Sequence, residues 1–244
     1  MKNLVSALGF LTLIPTPEDS FREDGRQILY FPLIGLLIGA MLWAVDTLAA
    51  TWAYGEIRIV LDVLCLAVIS GALHLDGLAD SADGLFAHRS RERALEIMKD
   101  PRIGTMGTLA VFFCILLKLA GLIQLTGDGH GYWLLAVPAY ARTGQVAGLV
   151  FMNYARSDGG KSTVFFQKGE YGLLAWGIVP LALPFAWGII PGLVAMGTFL
   201  IIVVLSLWFF KSKLGGVTGD TLGALTELVE SALFVAGGIV CMNL

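Results

Sequence analysis

The feature that most constrains this chain is a series of long apolar stretches, most of them close to the thickness of a bilayer core. A transmembrane helix needs about 20 predominantly apolar residues. Hydrophobic residues make up 57% of the 244 positions and charged residues only 14%, against about 25% charged residues in a typical soluble domain. The stretches lie at about 28–51, 57–80, 105–126, 131–152, 171–187, 189–210 and 219–242. The sequence predicts an all-α, polytopic integral membrane helix bundle with about seven transmembrane helices.

Two further segments shape this prediction. The N-terminal run 4–14 is too short to span a bilayer, carries no small-residue cleavage site and stops at Pro15, so we expect a short interfacial or re-entrant helix. Prolines interrupt the run 171–210, where only a tight hairpin around 187–191 separates two spans. An error of one helix at that point would reverse the side on which the C-terminus lies.

The basic residues predict the orientation of the bundle. On a seven-span arrangement the loops 15–27, 86–104, 153–170 and 211–218 share one side and hold twelve Lys and Arg residues, whereas the opposite loops hold only Arg58. Short cytoplasmic loops carry the excess of Lys and Arg. We therefore expect these four loops on the cytoplasmic side.

Charge and cysteine content exclude two classes of protein. The formal net charge of −3 argues against a nucleic-acid-binding protein, whose surface would be strongly basic. Cys65, Cys114 and Cys241 all fall inside apolar runs, where a small hydrophobic side chain is the usual role and a disulfide framework or thiolate metal site is not indicated.

An acidic block follows the second apolar run. In GALHLDGLADSADG, Asp76, Asp80 and Asp83 stand at i, i+4 and i+7, which places them on one face of a helix. Carboxylates in or near a bilayer are costly and usually mark function. Their hard oxygen atoms suit Mg²⁺, Mn²⁺ or Ca²⁺, so the block predicts a divalent metal site. The alternative is a solvated acidic helix end outside the membrane.

A second acidic group opens the last span. In GDTLGALTELVE, Asp220 and Glu227 are seven residues apart and share a face, and Glu230 lies further round the helix. The predicted topology brings Asp220 and the acidic block to the same end of the bundle, where Asp76, Asp80, Asp83, Asp220 and Glu227 would surround one cytoplasm-facing cavity. Glu227 and Glu230 have an alternative role as interhelical partners of a Lys or Arg.

Basic side chains complete the candidate site. Lys118 and Arg142 lie within predicted spans and should point into the bundle. The planar guanidinium of Arg142 suits a phosphate or carboxylate, although a structural bridge between Arg142 and Glu227 is an equal alternative. The loop HRSRERALEIMKDPRIG adds Lys99 and Arg102. These basic residues could bind an anionic substrate. Alternatively, membrane topology and attraction to anionic lipid alone explain their presence.

Together these residues favour a metal-assisted phosphoryl or nucleotidyl transferase that handles a large or lipidic substrate at the membrane surface. His74 and His88 flank the acidic block, and either could accept a proton from an attacking hydroxyl. A histidine so close to helix packing has an equally simple structural role.

The chain resembles a known family. HLDGLADSADG, RERALEIMKDPRIGTMG, FLTLIP, YFPLIGLLIG and GVTGDTLGALTELVE are similar to blocks of the cobalamin synthases, the adenosylcobinamide-GDP ribazoletransferases of vitamin B12 assembly, and the resemblance covers nearly the whole chain. It implies an Mg²⁺-dependent enzyme of the bacterial inner membrane that joins adenosylcobinamide-GDP to α-ribazole or its 5′-phosphate and releases GMP. Carried over by position, the acidic block falls on Asp76, Asp80 and Asp83, and the GDTLGA block on Asp220 and Thr221.

From these observations we expect residues 1–244 to form a single membrane-embedded catalytic domain. The expected catalytic residues are Asp76, Asp80, Asp83 and His74; the expected substrate-binding residues are Arg142, Arg102, Lys99 and Thr221; and the expected metal ligands are Asp76, Asp80, Asp83, Asp220 and Glu227. Membrane lipid is an expected partner, nucleic acid is not, and an oligomer is left open.

Two other classes share some of these features. A CDP-alcohol phosphotransferase also begins its acidic signature with Asp-Gly, but its spacing is longer than that of Asp76 and Asp80. A cation-coupled transporter also uses intramembrane carboxylates and Gly-broken helices, and it predicts inverted repeats. The acidic block has no counterpart of similar spacing in the later spans.

Overall fold

The computed structural model confirms an all-α polytopic fold. It describes residues 2–17, 25–53, 55–87, 89–125, 131–156, 164–166 and 169–242. Within these ranges the only β-type pairing is an isolated bridge between Tyr154 and Val217, which joins two loops at one end of the bundle. Every other regular element of the described chain is helical.

Ten α-helices follow one another in the described chain. They are α1 (Lys2–Leu11), α2 (Phe31–Ala49), α3 (Glu56–Ile69), α4 (Leu73–Leu85), α5 (Arg91–Ile97), α6 (Thr105–Gln124), α7 (Gly131–Phe151), α8 (Ile178–Ala182), α9 (Ile189–Leu214) and α10 (Gly219–Met242). Short 3-10 helices precede α2 and flank α8, at Arg26–Tyr30, Tyr171–Gly177 and Leu183–Trp187.

Five of these helices are long and apolar enough to cross a membrane, namely α2, with the short 3-10 helix before it, α6, α7, α9 and α10. The number rises to six if α3 and α4 together make one broken crossing. Helix α1 lies where the sequence predicts a short N-terminal helix. Within the described residues, length and composition therefore support five or six crossings rather than the seven that the apolar runs predict.

The predicted crossing over 57–80 is not one continuous helix. Helix α3 ends at Ile69, and α4 leaves it at 85°. The N–H of Ala72 donates to the carbonyl of Ala67 at 2.8 Å, and the N–H of Gly71 donates to that of Val68 at 2.9 Å. This pair of bonds, with Gly71 at φ 59°, is a Schellman motif, which terminates a helix. The acidic block therefore lies on a separate, turned helix.

The segment before α9 also differs from a regular span. Residues 171–187 form a sequence of 3-10, α and 3-10 turns that is shorter than the five long helices. Pro180 and Pro184 each remove a backbone donor from it, which explains why a continuous α-helix does not form. The predicted break around 187–191 is confirmed, because the segment ends at Trp187 and α9 begins at Ile189 after Gly188 at φ 139°.

Three of the basic loops meet at one end of the bundle. Arg91 donates from Nε to the carbonyl of Leu214 and from Nη2 to the carbonyl of Ala155, both at 2.6 Å. Leu214 is the last residue of α9, where unpaired carbonyls attract a cation. The loops around 86–104, 153–156 and 211–218 thus lie on the same side, as the seven-span arrangement expects.

The core of the bundle is formed around α7 and α10. Helix α7 is buried along almost its whole length, and it packs most extensively against α2. Helix α10 packs against α4, α6, α7 and α9. Helices α6 and α9 instead expose apolar faces, including Phe113 and Trp208, as lipid-facing helices do. The turned helix α4 is therefore held against the centre of the molecule by α10 and α6.

Candidate active site

The carboxylates of α4 and α10 come together because two glycines let the helix backbones approach closely. A Cβ atom on Gly77 would lie 2.7 Å from the carbonyl oxygen of Asp220, and one on Gly223 would lie 3.3 Å from the Cα atom of His74. No larger side chain fits at Gly77 without a shift of backbone. The contact places Asp76 and Asp80 beside the start of α10, where Asp220 lies.

Four carboxylates interact at this point, and we call them the acidic cluster: Asp76, Asp80, Asp83 and Asp220. Asp76 and Asp80 are its two members without a described hydrogen-bond partner. Asp76 is exposed and Asp80 is half-buried, and the described structure gives neither side chain a hydrogen bond or a cation partner. Asp80 lies within electrostatic range of Asp76, Asp83 and Asp220, with Arg156 as the nearby positive charge. Such a group of carboxylates repels itself and attracts cations.

Asp83 has a different role. Its carboxylate accepts hydrogen bonds from the backbone N–H groups of Gly104, at 2.7 Å, and Gly107, at 2.8 Å. These donors belong to the first turn of α6, which has no other way to satisfy them within the helix. The negative charge also complements the positive end of the helix dipole. Asp83 thus caps α6, and both of its oxygens are engaged.

Asp220 is held by a residue that the sequence argument counted only as a basic loop residue. Arg156 Nη2 lies 2.6 Å from Asp220 Oδ2, and Thr218 Oγ1 lies 3.4 Å from the same oxygen. Both charged side chains are largely buried. Both described partners bind Oδ2, so the second oxygen, Oδ1, has no described hydrogen bond.

Thr221 is placed in the start of α10. The N–H of Thr218 donates to Thr221 Oγ1 at 2.8 Å, and the N–H of Thr221 donates to Thr218 Oγ1 at 3.2 Å. This reciprocal pair has the pattern of a capping box. Both threonines are fully buried, so the structure places Thr221 where it fixes Asp220 at the first turn.

A cavity of about 170 Å³ opens beside the acidic cluster. Asp76 and Asp220 contribute carboxylates to its lining, His74 and Gln145 add two further polar side chains, and most other lining residues are apolar. Three aromatic rings line it. Phe10 lies 4.4 Å from Phe165 and 5.8 Å from Phe31, measured between ring centroids. The cavity joins an apolar, aromatic compartment to a set of carboxylates.

Deeper in the bundle, four charged side chains form a closed group, which we call the buried ion quartet: Lys118, Arg142, Glu227 and Glu230. Lys118 Nζ lies 2.8 Å from Glu227 and 2.5 Å from Glu230, and Arg142 Nη1 pairs with the other oxygen of Glu230. All four are at least 95% buried. Two cations and two anions balance, which is what the cost of buried charge requires.

The contacts of the quartet show which of the predicted partners Arg142, Glu227 and Glu230 have. The interhelical pairing offered for Glu230 is confirmed, whereas the bridge proposed between Arg142 and Glu227 is wrong, because Arg142 pairs with Glu230. Glu227 binds Lys118 and accepts a hydrogen bond from the Cys114 thiol, with a sulfur–oxygen distance of 3.2 Å. The structure therefore does not bring Glu227 into the acidic cluster, and Cys114 has a polar contact beyond packing.

His74 connects the quartet to the cavity. Its Nδ1 lies 3.4 Å from Arg142 Nη2, and its Nε2 lies 3.0 Å from the Gln145 side-chain amide. His74 is 98% buried. Both ring nitrogens are thus engaged by neighbouring side chains, which leaves neither facing a reacting hydroxyl in this arrangement.

The expected substrate-binding residues of the basic loop, Lys99 and Arg102, do not line the cavity. The Arg102 side chain is 86% exposed and binds Asp100 through two hydrogen bonds of 2.9 and 2.6 Å, and these bonds lower the pKa of Asp100 to about 2. Lys99 is exposed in the same segment. His88 lies outside the residues that the structure describes.

Divalent cations can be matched to this site by donor chemistry. Among the described residues, no three His, Cys, Asp or Glu side chains converge into a ready-made cage for an ion. Mg²⁺ typically binds through one or two carboxylates together with substrate phosphates. Asp76 and Asp80, two hard carboxylates with no cation partner, fit that mode of binding.

Sequence reasoning missed three contributors. Gln145 is three residues after Arg142 on α7, hence on the same helix face, and that spacing was the available signal. The sequence identified Arg156 only as one of several basic residues in a loop. The third contributor is the aromatic group of Phe10, Phe31 and Phe165. These residues are far apart in the chain, so no local sequence pattern predicts that they come together.

The fold and the site together define a polytopic membrane protein with a carboxylate-lined cavity above a buried ion quartet. The family model for cobalamin-5-phosphate synthase matches residues 3–238. The chain belongs to this family and is a membrane transferase of cobalamin synthesis.

Curated relatives agree with the family. A protein of Chlorobaculum parvum named adenosylcobinamide-GDP ribazoletransferase is 37% identical over 243 residues, which cover 97% of this chain and 95% of the relative. Proteins with the same name from Clostridium novyi and Escherichia coli O127:H6 are 37% and 38% identical, covering 97% and 94% of this chain and 96% of each relative. No solved structure matches the chain.

Proposed function

We propose that this chain joins adenosylcobinamide-GDP to α-ribazole, or to α-ribazole 5′-phosphate, giving adenosylcobalamin or its 5′-phosphate and GMP. The names of the curated relatives support this reaction. The structural observation that carries it is the cavity shared by Asp76 and Asp220, with Asp80 beside them lacking any described partner.

The reaction is a displacement at phosphorus. A ribose hydroxyl of α-ribazole attacks the phosphorus atom on the cobinamide side of the pyrophosphate. The new P–O bond forms as the bond from that phosphorus to the bridging oxygen breaks, and GMP leaves with the bridging oxygen. A carboxylate of the acidic cluster accepts the hydroxyl proton. Because both nitrogens of His74 are engaged, we assign the proton to an aspartate rather than to His74.

The residues of the site divide this work. Asp76 and Asp80 would hold Mg²⁺ together with oxygens of the pyrophosphate, and the ion, when bound, neutralises charge on the pyrophosphate and the leaving group. Arg156 adds a positive charge next to Asp220 and steadies the phosphoryl oxygens. Thr221 and Asp83 keep the starts of α10 and α6 in position through their capping bonds.

The same proposal gives the site a location. Residues 1–244 act as one catalytic domain in the bacterial inner membrane, with the cavity open to the cytoplasm. The contacts of Arg91 support the shared side of three basic loops, and loops rich in Lys and Arg lie in the cytoplasm. The substrates then reach the carboxylates from the cytoplasmic face, and lipid surrounds α6 and α9.

The direct test incubates the purified, detergent-solubilised protein with adenosylcobinamide-GDP, α-ribazole and MgCl₂, with and without EDTA. Mass spectrometry then follows GMP and the completed corrinoid. Metal-dependent appearance of both supports the proposal, and release in detergent without any compartment excludes a carrier. Glu96→Gln, which alters an exposed carboxylate outside the cavity, is the control that should retain activity. No product from folded protein would reject the proposed function.

A further inference from the structure

We propose that the side-chain amide of Gln145 recognises the free ring nitrogen of the benzimidazole base of α-ribazole, while the base lies among the rings of Phe10, Phe31 and Phe165. This inference rests on the proposed function, and it places one substrate within the cavity. In this proposal the contact between His74 and Arg142 orients the side-chain amide of Gln145.

Arg142 determines which nitrogen of His74 carries the proton. A guanidinium only donates hydrogen bonds, so His74 Nδ1, 3.4 Å from Arg142 Nη2, must be the acceptor. The neutral imidazole then carries its proton on Nε2. Arg142 is itself fixed by Glu230. The buried ion quartet therefore selects one tautomer of His74.

The tautomer in turn orients Gln145. The amide nitrogen of Gln145 is placed 3.0 Å from His74 Nε2, but Nε2 as an N–H donor needs an acceptor, so the amide must be turned by 180° to bring its oxygen to this position. The oxygen and nitrogen of an amide have nearly the same shape, and the hydrogen-bond pattern decides which is which. The NH₂ group then takes the position in which Oε1 is placed, which is buried and has no partner among the described residues.

This unpaired donor belongs to the cavity wall. Gln145 lines the cavity, although its residue surface is 95% buried. A buried polar group without a partner is costly. A ligand atom that accepts a hydrogen bond from the amide would remove that cost. Gln145 therefore brings an N–H donor without a described partner to the lining of a cavity that also contains three phenylalanine side chains.

The shape and polarity of the cavity select the base. Aromatic rings stack favourably in offset and tilted arrangements, and the Phe10–Phe165 pair lies 4.4 Å apart at 38°. An apolar cavity of about 150 Å³ accommodates benzene, so about 170 Å³ holds one ring of a flat bicyclic base, and the second ring extends toward the open side. Benzimidazole attached to ribose has one acceptor nitrogen and no donor, which matches one N–H. A guanine base presents several donors and acceptors, for which the apolar wall offers too few partners.

The presence of carboxylates in the same cavity agrees with this placement. Asp76 and Asp220 line the same cavity as Gln145. With the base against the aromatic rings, the ribose hydroxyls point toward the carboxylates that would accept a proton and hold Mg²⁺. One substrate thus bridges the apolar compartment and the reacting end of the site.

The experiment compares α-ribazole with the riboside in which C–H replaces the free ring nitrogen. In the wild-type protein we expect the analogue to have a KM about tenfold higher, the loss of one buried hydrogen bond. In Gln145→Leu we expect the two ribosides to have similar KM values, while the KM for adenosylcobinamide-GDP changes little. Thr143→Val, a buried position on the same helix whose hydroxyl bonds only Ala139 within α7, should keep the tenfold preference.

Gln145→Glu provides a second variant if Gln145→Leu does not fold. Its side chain still offers an oxygen to His74 Nε2 but presents an oxygen instead of an NH₂ group to the cavity, so we expect α-ribazole to bind more weakly. Calorimetric titration of α-ribazole onto the solubilised protein gives the same comparison without turnover.

The outcomes separate this inference from the proposed function. Turnover by the wild-type protein with an unchanged preference in Gln145→Leu overturns the role of Gln145 and leaves the reaction standing. Binding of α-ribazole that depends on Gln145 without any GMP release supports the subsite and rejects the reaction. Absence of both binding and turnover in folded wild-type protein overturns both.

Discussion

The carboxylate of Asp83 accepts a hydrogen bond of 2.8 Å from the backbone N–H of Gly107, so one aspartate of the acidic block serves the next helix rather than the cavity. A Cβ atom on Gly107 would collide with Asp83 and would lie 2.8 Å from the carbonyl of Ala79. The contact therefore fixes α6 against α4, because α4 contributes the Asp83 side chain and α6 contributes a glycine that leaves room for it.

Asp83→Ala should lower the stability of the protein. Loss of an N-cap side chain costs about 1–2 kcal/mol, and the midpoint of thermal unfolding in detergent should fall accordingly. Asp83→Asn, which keeps one acceptor oxygen, should have a smaller effect. An unchanged midpoint with selective loss of turnover would instead place Asp83 among the metal ligands.

Asp80→Asn should lower turnover by about 10²–10³ without lowering the unfolding midpoint. The half-buried carboxylate has no described partner and lies near three other carboxylates, so its charge does not stabilise the fold. Removing a group that stabilises charge in the reaction costs about 10²–10³ in rate. GMP release measured beside a thermal scan checks both parts, and full activity in this variant would sink the assignment.

Chelation should stop the reaction, and added MgCl₂ should restore it. Asp76→Asn should raise the Mg²⁺ concentration needed for half-maximal activity, because it removes one of two open carboxylates. Titrating MgCl₂ into EDTA-treated wild-type and variant protein measures this shift. Equal Mg²⁺ requirements in the two proteins would show that Asp76 is not a ligand.

Glu230→Ala should be the most destabilising of these substitutions. It leaves Arg142 without its anion inside the bundle, and breaking a buried ion pair costs about 3–5 kcal/mol. Glu227→Gln should cost less, because Lys118 keeps Glu230 at 2.5 Å. Arg93→Ala, in an exposed pair, is the control and should change stability by no more than about 1 kcal/mol. Denaturant unfolding followed by circular dichroism compares the three.

Arg156→Gln should weaken the site more than Arg102→Gln. Arg156 is buried against Asp220, whereas Arg102 is exposed and bonded to Asp100. We expect Arg156→Gln to raise the KM for adenosylcobinamide-GDP or lower kcat, and Arg102→Gln to leave both near wild type. Steady-state kinetics of the two variants under identical MgCl₂ decide between the two arginines, and the reverse order would return the substrate-binding role to Arg102.

The sequence was sufficient for what depends on local pattern. Apolar runs predicted the long helices, and the spacing of Asp76 and Asp80 predicted a shared helix face, since both effects follow from helix periodicity. The end of α3 at Gly71 was harder to foresee, because a glycine inside an apolar run is compatible with a continuous helix. Its role depends on a Schellman motif that only the backbone conformation reveals.

Partner choice in the interior was also beyond local pattern. Glu227 and Glu230 could each bind a metal ion or pair with a Lys or Arg side chain. Which of these occurs depends on where Lys118 and Arg142 project after the helices pack. The same applies to Arg156, whose loop position gave no sign that it would be drawn onto Asp220. Long-range packing, rather than composition, determines these pairs.

The buried ion quartet makes the neutrality of two helices depend on a third. Lys118 and Arg142 lie on α6 and α7, whereas both neutralising glutamates lie on α10. During synthesis α6 and α7 therefore precede their counter-charges, and until α10 inserts the nascent protein carries two uncompensated cations, which are expensive in lipid. Insertion of α10 is thus coupled to neutralisation of the two earlier helices.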